Sequence, residues 1–246
     1  MEYKVCILAA GKGARNSWAN SSHKSLLPIQ NKAAISFIIE KYNDAYEFVI
    51  AAGYKSRLLE DYLKIAHPNV RIRIVIVKNY SAKGSGPGHS LIKCKKYLQL
   101  PFISHACDAI CMNTHAKPNK DWIAYDIKKK GDQVVAALNN KIGKDLFYKT
   151  TLKNKTKVFI GVAGIYNYKK FWSNLKSQNY YSKKFKSKLK TEKQMLDGFS
   201  IFFNNKIKFI KYNWWDIGTD YNYRQFLYSN KDTKNLVLPK KTKFIY

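Results

Sequence analysis

The first thirty residues carry the groups best suited to chemistry. A short apolar strand, predicted at residues 3–9, leads straight into a loop that contains Gly11, Gly13 and Arg15. Glycine lets a backbone bend and approach a ligand where a Cβ would block it, and such a loop can aim its N–H groups at phosphate oxygens. Arg15 and, after a spacer, Lys24 would add positive charge. An ordinary glycine-rich turn is the alternative, but strand, glycines and cations together predict a phosphate-binding loop.

These residues need elements that position them, and the first half of the chain predicts such elements. The predicted strands are 3–9, 47–52, 71–77 and 102–107, and the predicted helices between them are 33–42, 56–66 and 88–97. This alternation is typical of βαβ units and a mostly parallel sheet, in which ligands bind at the carboxyl ends of the strands. The glycine loop and Asp108 both fall at that edge, so we expect an α/β fold with its site there.

The second half of the chain is less regular. The predicted strands are 133–138, 158–166 and 206–210, and the predicted helices are 171–179, 191–203 and 221–228. Residues 235–246 end in Lys-Phe-Ile-Tyr, which fits one last strand. No internal repeat or linker divides the chain, and its length suits one α/β unit. We therefore expect a single domain over residues 1–246.

The formal net charge of +29 restricts the partners. Such an excess is typical of proteins that bind nucleic acids or membrane surfaces, but a lysine-rich solvated surface produces it too. Arginine, which usually supplies base readout and bidentate phosphate contacts, occurs only five times. We therefore expect no specific nucleic-acid partner. No apolar run is long enough to span a bilayer, and the scattered cysteines and the absence of a signal-peptide layout predict a cytoplasmic protein. The oligomeric state stays open.

The N-terminal motif also resembles a known signature. Residues 7–15 (Ile-Leu-Ala-Ala-Gly-Lys-Gly-Ala-Arg) and 23–29 (His-Lys-Ser-Leu-Leu-Pro-Ile) resemble the pattern L-A-A-G-x-G-x-R, spacer, P-K-x-L-x-P-I of the nucleoside-triphosphate:sugar-1-phosphate nucleotidyltransferases, the NDP-sugar pyrophosphorylase-like family. The chain departs from the pattern at His23, where most relatives have proline, and in the spacer. The His-Lys-Ser-Leu variant is similar to the branch that includes cytidylyltransferases acting on phospho-alcohols.

The resemblance implies a Rossmann-like, GT-A-type fold, in which helices flank a mostly parallel mixed sheet. It also implies a role for each matching residue, with Arg15 and Lys24 as the catalytic cations. The implied nucleotide-binding residues are Leu8, Ala10, Gly11, Gly13, Gly86 and Gly88, the implied Mg²⁺ ligands are Asp108 and Asp216, and the implied acceptor-binding residues are Gly164 and Glu192.

Several of these positions have an ordinary structural explanation. The glycine cluster around Gly86 and Gly88 is also typical of a flexible turn, and Asp108 or Asp216 could cap a helix. Together, however, the two aspartates suit Mg²⁺, which is commonly held by one or two carboxylates with substrate phosphates and water. The family's usual Glu-Lys-Pro run is absent before the strand at 158–166, and the lysine that would replace its lysine stays open.

The activity that the resemblance implies is Mg²⁺-dependent nucleotidyl transfer. A phosphate oxygen of a sugar phosphate would attack the α-phosphorus of an NTP, giving an NDP-sugar and pyrophosphate, as in precursor synthesis for surface polysaccharides. A phosphate monoester is already a good nucleophile, so no strong general base is required. Catalysis would then rest on positioning and charge neutralisation.

Three different functions stay open beside this one. The His-Lys-Ser-Leu variant favours a cytidylyltransferase that acts on a phospho-alcohol or a phospho-amino compound such as phosphocholine. A GT-A glycosyltransferase would share the sheet and the metal, but it would be expected to carry Asp-x-Asp, and Asp108 has no such partner. A basic polyanion-binding protein would not need both aspartates. The nucleobase and the acceptor are not decided by the sequence.

Overall fold

The structure is a computed structural model that describes residues 1–82, 85–112, 115–127, 137–138, 146–147, 157–177, 194–199 and 207–229. The strands are β1 (Lys4–Ala9), β2 (Pro28–Ile29), β3 (Lys32–Ala33), β4 (Glu47–Ala52), β5 (Ile72–Ile76), β6 (Phe102–Ala106), β7 (Ala109–Cys111), β8 (Trp122–Ile127), β9 (Ala137–Leu138), β10 (Leu146–Phe147), β11 (Lys157–Ile165), β12 (Lys208–Lys211) and β13 (Trp214–Asp216). The helices are α1 (Ala34–Lys41), α2 (Ser56–Ala66), α3 (Pro87–Cys94), α4 (Tyr168–Ser177) and α5 (Asp220–Ser229). Short 3-10 turns cover Ser17–Ala19, Lys24–Leu26, Lys95–Tyr97 and Met195–Phe199.

A mostly parallel mixed sheet organises the described residues. Its strand order is β10-β9-β11-β6-β1-β4-β5, and β8 joins it by pairing with β11 and β12. Strands β6, β1, β4 and β5 run parallel, so their carboxyl ends lie at one edge. Strand β11 runs antiparallel to β6, which brings the first half of β11 to that same edge. The predicted α/β fold with a mostly parallel mixed sheet is confirmed.

Two apolar layers enclose the sheet because β1 buries both of its faces. Val5 and Ile7 pack on one side with residues of α1 and α2. Cys6 packs on the other side with residues of α3 and α4. Strands covered on both faces are near-continuous apolar runs, as β1 is. All four cysteines are buried free thiols.

Most predicted elements agree with the structure within a few residues. Three strands that place the site, β7, β8 and β13, are absent from the sequence-based prediction. Strands β7 and β13 have three residues each, too few for a periodic pattern, and their pairing is entirely tertiary. The predicted helix at 191–203 is a 3-10 turn at Met195–Phe199, and its other residues, like most of 133–138 and all of 235–246, lie outside the described parts.

No helix in the described parts of the chain combines the length and the apolar composition needed to cross a membrane.

Two histidines are buried within these layers. His23 precedes the turn at Lys24–Leu26, His105 lies on β6, and neither side chain is exposed to solvent. Burial disfavours the charged imidazolium and lowers the pKa of each ring from 6.5 to about 4. Between pH 4 and pH 6.5 the unfolded chain therefore binds more protons than the folded chain. The contribution of the two neutral histidines to the free energy of unfolding is complete only above pH 6.5.

We expect the free energy of unfolding to fall as the pH drops from 6.5 towards 4. Both histidines contribute to this loss, while Asp216, whose pKa is raised by burial to about 6, opposes it below that pH. One net proton taken up on unfolding corresponds to about 1.4 kcal/mol per pH unit. Urea unfolding across this range measures the slope, and His105→Gln should reduce it. A stability that stays level from pH 6.5 to 4 would contradict the assignment.

Candidate active site

The glycine loop after β1 contains two glycines, and the local structure constrains only one of them to be glycine. Gly13 has φ +69°, the left-handed region that side chains disfavour, and a Cβ there would lie 3.1 Å from the Cβ of Lys24. Gly11 has no positive φ, and a Cβ there would meet no atom within 4 Å. The fold therefore requires glycine at position 13, whereas at position 11 glycine leaves space open beside the loop.

The second half of the chain holds this loop in place. The side-chain amide of Asn16 donates to the carbonyl of Ile217 at 2.9 Å, and the Ser17 backbone N–H donates to Asp220 Oδ1 at 2.7 Å. Asn16 is fully buried. The loop and the start of α5 are therefore joined by hydrogen bonds, although the two segments lie far apart in sequence.

Lys24 reaches the carboxyl edge of the sheet from its 3-10 turn. Its side chain passes over Gly13, and its ammonium donates to Asp108 Oδ2 in an ion pair that is mostly buried. Burial lowers the pKa of Lys24, but the neighbouring acidic groups, Asp108 foremost, together raise it by more, so the net pKa lies above the usual value. The lysine therefore keeps its positive charge in the site.

The two aspartates are brought together by a short antiparallel pair of strands. Asp108 follows β6, and in the pairing of β7 with β13 Asp216 lies opposite Ala109. The Ile217 N–H also donates to the backbone carbonyl of Asp108 at 3.0 Å. This pairing aligns the second aspartate beside the first at the edge where the glycine loop begins.

Gly218 lies beside all three charged groups. A Cβ at this position would lie 2.7 Å from Asp108 Oδ2, 2.7 Å from Asp216 Oδ1 and 3.1 Å from Lys24 Nζ. The two carboxylate oxygens are therefore no farther apart than twice 2.7 Å. The Gly218 N–H donates to Asp216 Oδ1 at 2.7 Å, and the Asn222 side chain donates to Asp216 Oδ2 at 3.1 Å, which fixes the carboxylate.

The electrostatics of the two carboxylates differ. Burial raises the pKa of Asp216 to about 6, and the neighbouring charge of Asp108 contributes. Burial also raises the pKa of Asp108, but the ammonium of Lys24, a backbone hydrogen bond and the charge of Arg15 together outweigh it, so the pKa of this carboxyl lies below its usual range. Two close carboxylates with one paired ammonium favour a further positive charge nearby.

The two carboxylates supply some, but not all, of the ligands that Mg²⁺ requires. The described residues contain no group of three or more His, Cys, Asp or Glu side chains that could hold a metal. Mg²⁺, however, is often bound by one or two carboxylates, with water and substrate phosphates completing the octahedron. Asp108 and Asp216 would be its protein ligands in such a site.

A cleft of about 390 Å³ opens at this edge of the sheet. The predicted site residues that line it are Leu8, Ala10, Gly11, Gly13, Arg15, Lys24, Gly86, Asp108 and Asp216. The structure therefore brings together residues from the N-terminal motif, the glycine cluster before α3 and both aspartate segments.

Two more predicted positions, Gly88 and Gly164, do not line this cleft, and the position of a third is not described. Gly88 is buried in the first turn of α3. Gly164 faces the core, since a Cβ there would lie 2.1 Å from Trp122 Nε1. Glu192 lies outside the described residues.

Gly161 lines the cleft in place of Gly164 and was not predicted from sequence. It has φ +81°, and it lies where the register of β11 against β8 shifts between Phe159 and Ala163. A Cβ there would lie 2.8 Å from the Cβ of Ala106 on β6. Two glycines on this strand were visible in the sequence, but the bulge and the antiparallel register decide which of them meets the cleft.

Tyr80 is a second lining residue without a sequence signal. A Cβ on Gly53 would lie 2.7 Å from the Tyr80 ring and 2.6 Å from the carbonyl oxygen of Ala10. The absence of a side chain at Gly53 therefore lets the ring pack beside the end of β1. Further lining residues that were not predicted include Ser85, Ser90, Gln194 and Trp214.

No protein-family model matches the sequence, and no curated protein matches it. Solved structures do match the fold. A UDP-glucose pyrophosphorylase complexed with UDP-glucose has a TM-score of 0.71 and 18% identity, covering 92% of this chain and 97% of that chain. The CTP:phosphocholine cytidylyltransferase of Streptococcus pneumoniae has a TM-score of 0.71 and 17% identity, with coverages of 92% and 97%. The inositol-1-phosphate CTP transferase of T. maritima has a TM-score of 0.63 and 15% identity, with coverages of 96% and 98%.

The chain therefore has the fold of NDP-sugar pyrophosphorylases and CTP:phospho-alcohol cytidylyltransferases. The predicted resemblance is confirmed at the level of the fold. Both kinds of acceptor are represented among these structures, so the fold does not choose between them.

Gly218→Ala should weaken divalent-cation binding by about 10- to 100-fold, a typical effect of disturbing the groups around metal ligands. The added methyl group would push the two carboxylates and the ammonium apart. Mn²⁺ binding followed by electron paramagnetic resonance measures the loss.

Thr219→Ala is the matched control for this variant. The Thr219 hydroxyl accepts the Asn222 N–H at 3.2 Å at the start of α5, so its loss should cost about 1 kcal/mol of stability. Its Mn²⁺ affinity should stay close to that of the unmodified protein. Equal Mn²⁺ affinities in the Gly218→Ala variant and the unmodified protein would remove Gly218 from the site.

Proposed function

We propose that the chain is a Mg²⁺-dependent nucleotidyltransferase that transfers a nucleoside monophosphate from an NTP to a phosphorylated acceptor and releases pyrophosphate. The observation that carries the proposal is the convergence of Lys24, Asp108 and Asp216 at a cleft that the glycine loop also lines. A buried ammonium beside two carboxylates suited to a cation matches the charge of several phosphate groups. The similarity of fold to known nucleotidyltransferases supports the same class.

The proposed reaction exchanges one phosphorus–oxygen bond for another. An acceptor phosphate oxygen attacks the α-phosphorus, the bond from that phosphorus to the oxygen that bridges to the β-phosphorus breaks, and pyrophosphate leaves. Lys24 would neutralise charge on the α-phosphate, while Arg15 and the N–H groups of residues 11–13 would hold the β- and γ-phosphates. Mg²⁺, when bound to Asp108 and Asp216, would supply further charge neutralisation.

The nucleoside would lie where β1 ends and α3 begins. Leu8, Ala10 and Gly86 line the cleft there, and the Tyr80 ring lies beside Ala10. Gly88 is buried within α3, so Gly86 is the better candidate for contact with the base.

A sugar phosphate is the first acceptor that we propose, and the product would then be an NDP-sugar for polysaccharide synthesis.

The alternative acceptor is a phospho-alcohol or a phospho-amino compound, and a specific feature of the cleft favours it. Its described lining includes an apolar set of side chains, namely Phe159, Ile160, Met195, Leu196 and Trp214. A sugar ring presents several hydroxyl groups that require hydrogen-bond partners, whereas a trimethylammonium group binds well to aromatic faces.

Two observations argue against a glycosyltransferase and a polyanion-binding protein. A glycosyltransferase would be expected to carry a second aspartate two residues from Asp108, and position 110 is isoleucine. A polyanion-binding protein has no need for two carboxylates in its site. We further propose that residues 1–246 act as one nucleotidyltransferase domain, and the four buried free thiols suit a reducing cytoplasm.

Pyrophosphate release tests the proposal directly. The protein is incubated with each of the four NTPs and with glucose 1-phosphate, phosphocholine or inositol 1-phosphate, and the products are identified by mass spectrometry. We expect release that requires both substrates and stops when EDTA removes Mg²⁺. Asp216→Asn should lower turnover by orders of magnitude while the fold is retained. Release without an acceptor, or full activity in EDTA, would sink the proposed function.

Gly11→Ala should weaken NTP binding without affecting the fold. The new methyl group meets no protein atom within 4 Å, so the melting temperature should not change. It would occupy space that we assign to the triphosphate, and losing one charge-assisted phosphate contact costs about 1.5–3 kcal/mol, or roughly ten- to a hundred-fold. Isothermal titration with NTP measures the affinity, and an unchanged value would place the triphosphate elsewhere.

A further inference from the structure

His23 makes hydrogen bonds through both ring nitrogens although it is fully buried. Nε2 lies 3.0 Å from the carbonyl oxygen of Ala9, and Nδ1 lies 2.7 Å from Ser25 Oγ and 3.1 Å from the Ser25 backbone nitrogen. A carbonyl oxygen only accepts, so Nε2 carries the proton. In the neutral ring Nδ1 is then the acceptor for the groups of Ser25, and the tautomer follows from the partners.

This ring connects two segments that the site requires. Ala9 is the last residue of β1, where the glycine loop begins, and Ser25 belongs to the turn that carries Lys24. The ring caps that turn by accepting the Ser25 N–H, and the Leu26 N–H closes the turn on the carbonyl of His23 at 2.8 Å. The backbone of Lys24 is therefore held at a fixed position relative to the glycine loop.

The position of the lysine ammonium depends on that anchor. The lysine side chain has four flexible bonds, and its course is narrow because it passes Gly13, where a Cβ would approach it at 3.1 Å. At the far end it pairs with Asp108. A shift of the turn relative to β1 would move the side chain against the loop and draw the ammonium away from the carboxylate.

We propose that His23 is a positioning residue, which ties the lysine turn to the end of β1 and so holds the Lys24 ammonium on Asp108. His23 itself does not line the cleft. The effect of His23 on catalysis rests on the nucleotidyltransferase function proposed above, whereas its effect on the position of Lys24 does not.

Three substitutions separate the two hydrogen bonds. His23→Asn keeps a group that can accept the Ser25 N–H, His23→Gln keeps a donor that can reach Ala9, and His23→Ala removes both. His67→Ala is the matched control, because His67 Nε2 also bonds a serine hydroxyl, that of Ser36 at 2.7 Å, but His67 lies at the end of α2 and not in the turn that carries Lys24.

The first measurement does not require activity. The unliganded protein is labelled with trace acetic anhydride, and mass spectrometry compares the acetylation rate of Lys24 with that of exposed lysines. In the unmodified protein the paired Lys24 should react slowly. We expect His23→Ala to raise its rate several-fold, the Asn and Gln variants to fall between, and His67→Ala to leave it unchanged.

The second measurement is steady-state kinetics. A misplaced lysine should lower kcat by up to about 100-fold, the effect of an error of roughly 1 Å in the position of a catalytic group, while KM for NTP changes much less. The Asn or Gln variant should restore part of kcat. A merely structural histidine would instead lower the fraction of folded enzyme and leave kcat per folded molecule unchanged.

The outcomes are separable. If the unmodified protein releases no pyrophosphate, the proposed function fails, and the labelling rates still decide the role of His23. If His23→Ala does not fold, the Asn and Gln variants decide, since each keeps one hydrogen bond. Folded His23 variants in which Lys24 is as slowly acetylated as in the unmodified protein would overturn the proposal.

Discussion

A mostly buried ammonium next to two carboxylates is the constraint on which the rest of the site depends. Lys24 pairs with Asp108. A Cβ on Gly218 would lie 2.7 Å from an oxygen of Asp108 and 2.7 Å from an oxygen of Asp216. Removing one member of a buried set of charges leaves the other charges uncompensated and strongly destabilises the folded protein. The parallel strands, the short pairing of β7 with β13 and the turn before β2 all serve to hold these three groups at one edge.

The glycines show how closely the backbone is packed around these charges. Gly13, Gly53, Gly161 and Gly218 each have a neighbour that a Cβ would meet closer than ordinary van der Waals contact, and two of them have positive φ. Gly11 is different, since its missing side chain leaves space that no described protein atom fills. This contrast separates glycines that the fold requires from one whose space is available to a ligand.

Few of the chain's positive charges lie in the described lining of the cleft. Of the 45 lysines and arginines, the described lining includes only Arg15 and Lys24, and two aspartates match them. Elsewhere several cations lie over tyrosine rings, for example Arg71 over Tyr46 with its guanidinium 4.4 Å from the ring centroid. Such contacts are expected of long cationic side chains on a solvated surface.

Much of the site was predictable from sequence because its signals are local. The apolar run of β1, the glycine loop, Lys24 and the two aspartates at strand ends are visible in short windows, and the structure brings them to one cleft. Strand β8 was not predicted, since its short run includes the buried charge of Asp126 and its partners β11 and β12 are distant in sequence. His23 was visible only as a departure from a motif, and its hydrogen bonds to Ala9 and Ser25 could not be inferred.

The sequence by itself therefore determined the fold class and the phosphate-loop candidate, because these follow from periodicity and residue chemistry along the chain. The resemblance to a known family singled out Asp108 and Asp216 as candidate metal ligands. Tertiary structure alone decided which side of β11 meets the cleft, so that Gly161 lines it while Gly164 packs on Trp122. It also decided that Asp216 lies beside Asp108. The reason is that strand register and bulges depend on contacts between distant segments, and a shift of one residue turns every side chain to the opposite face.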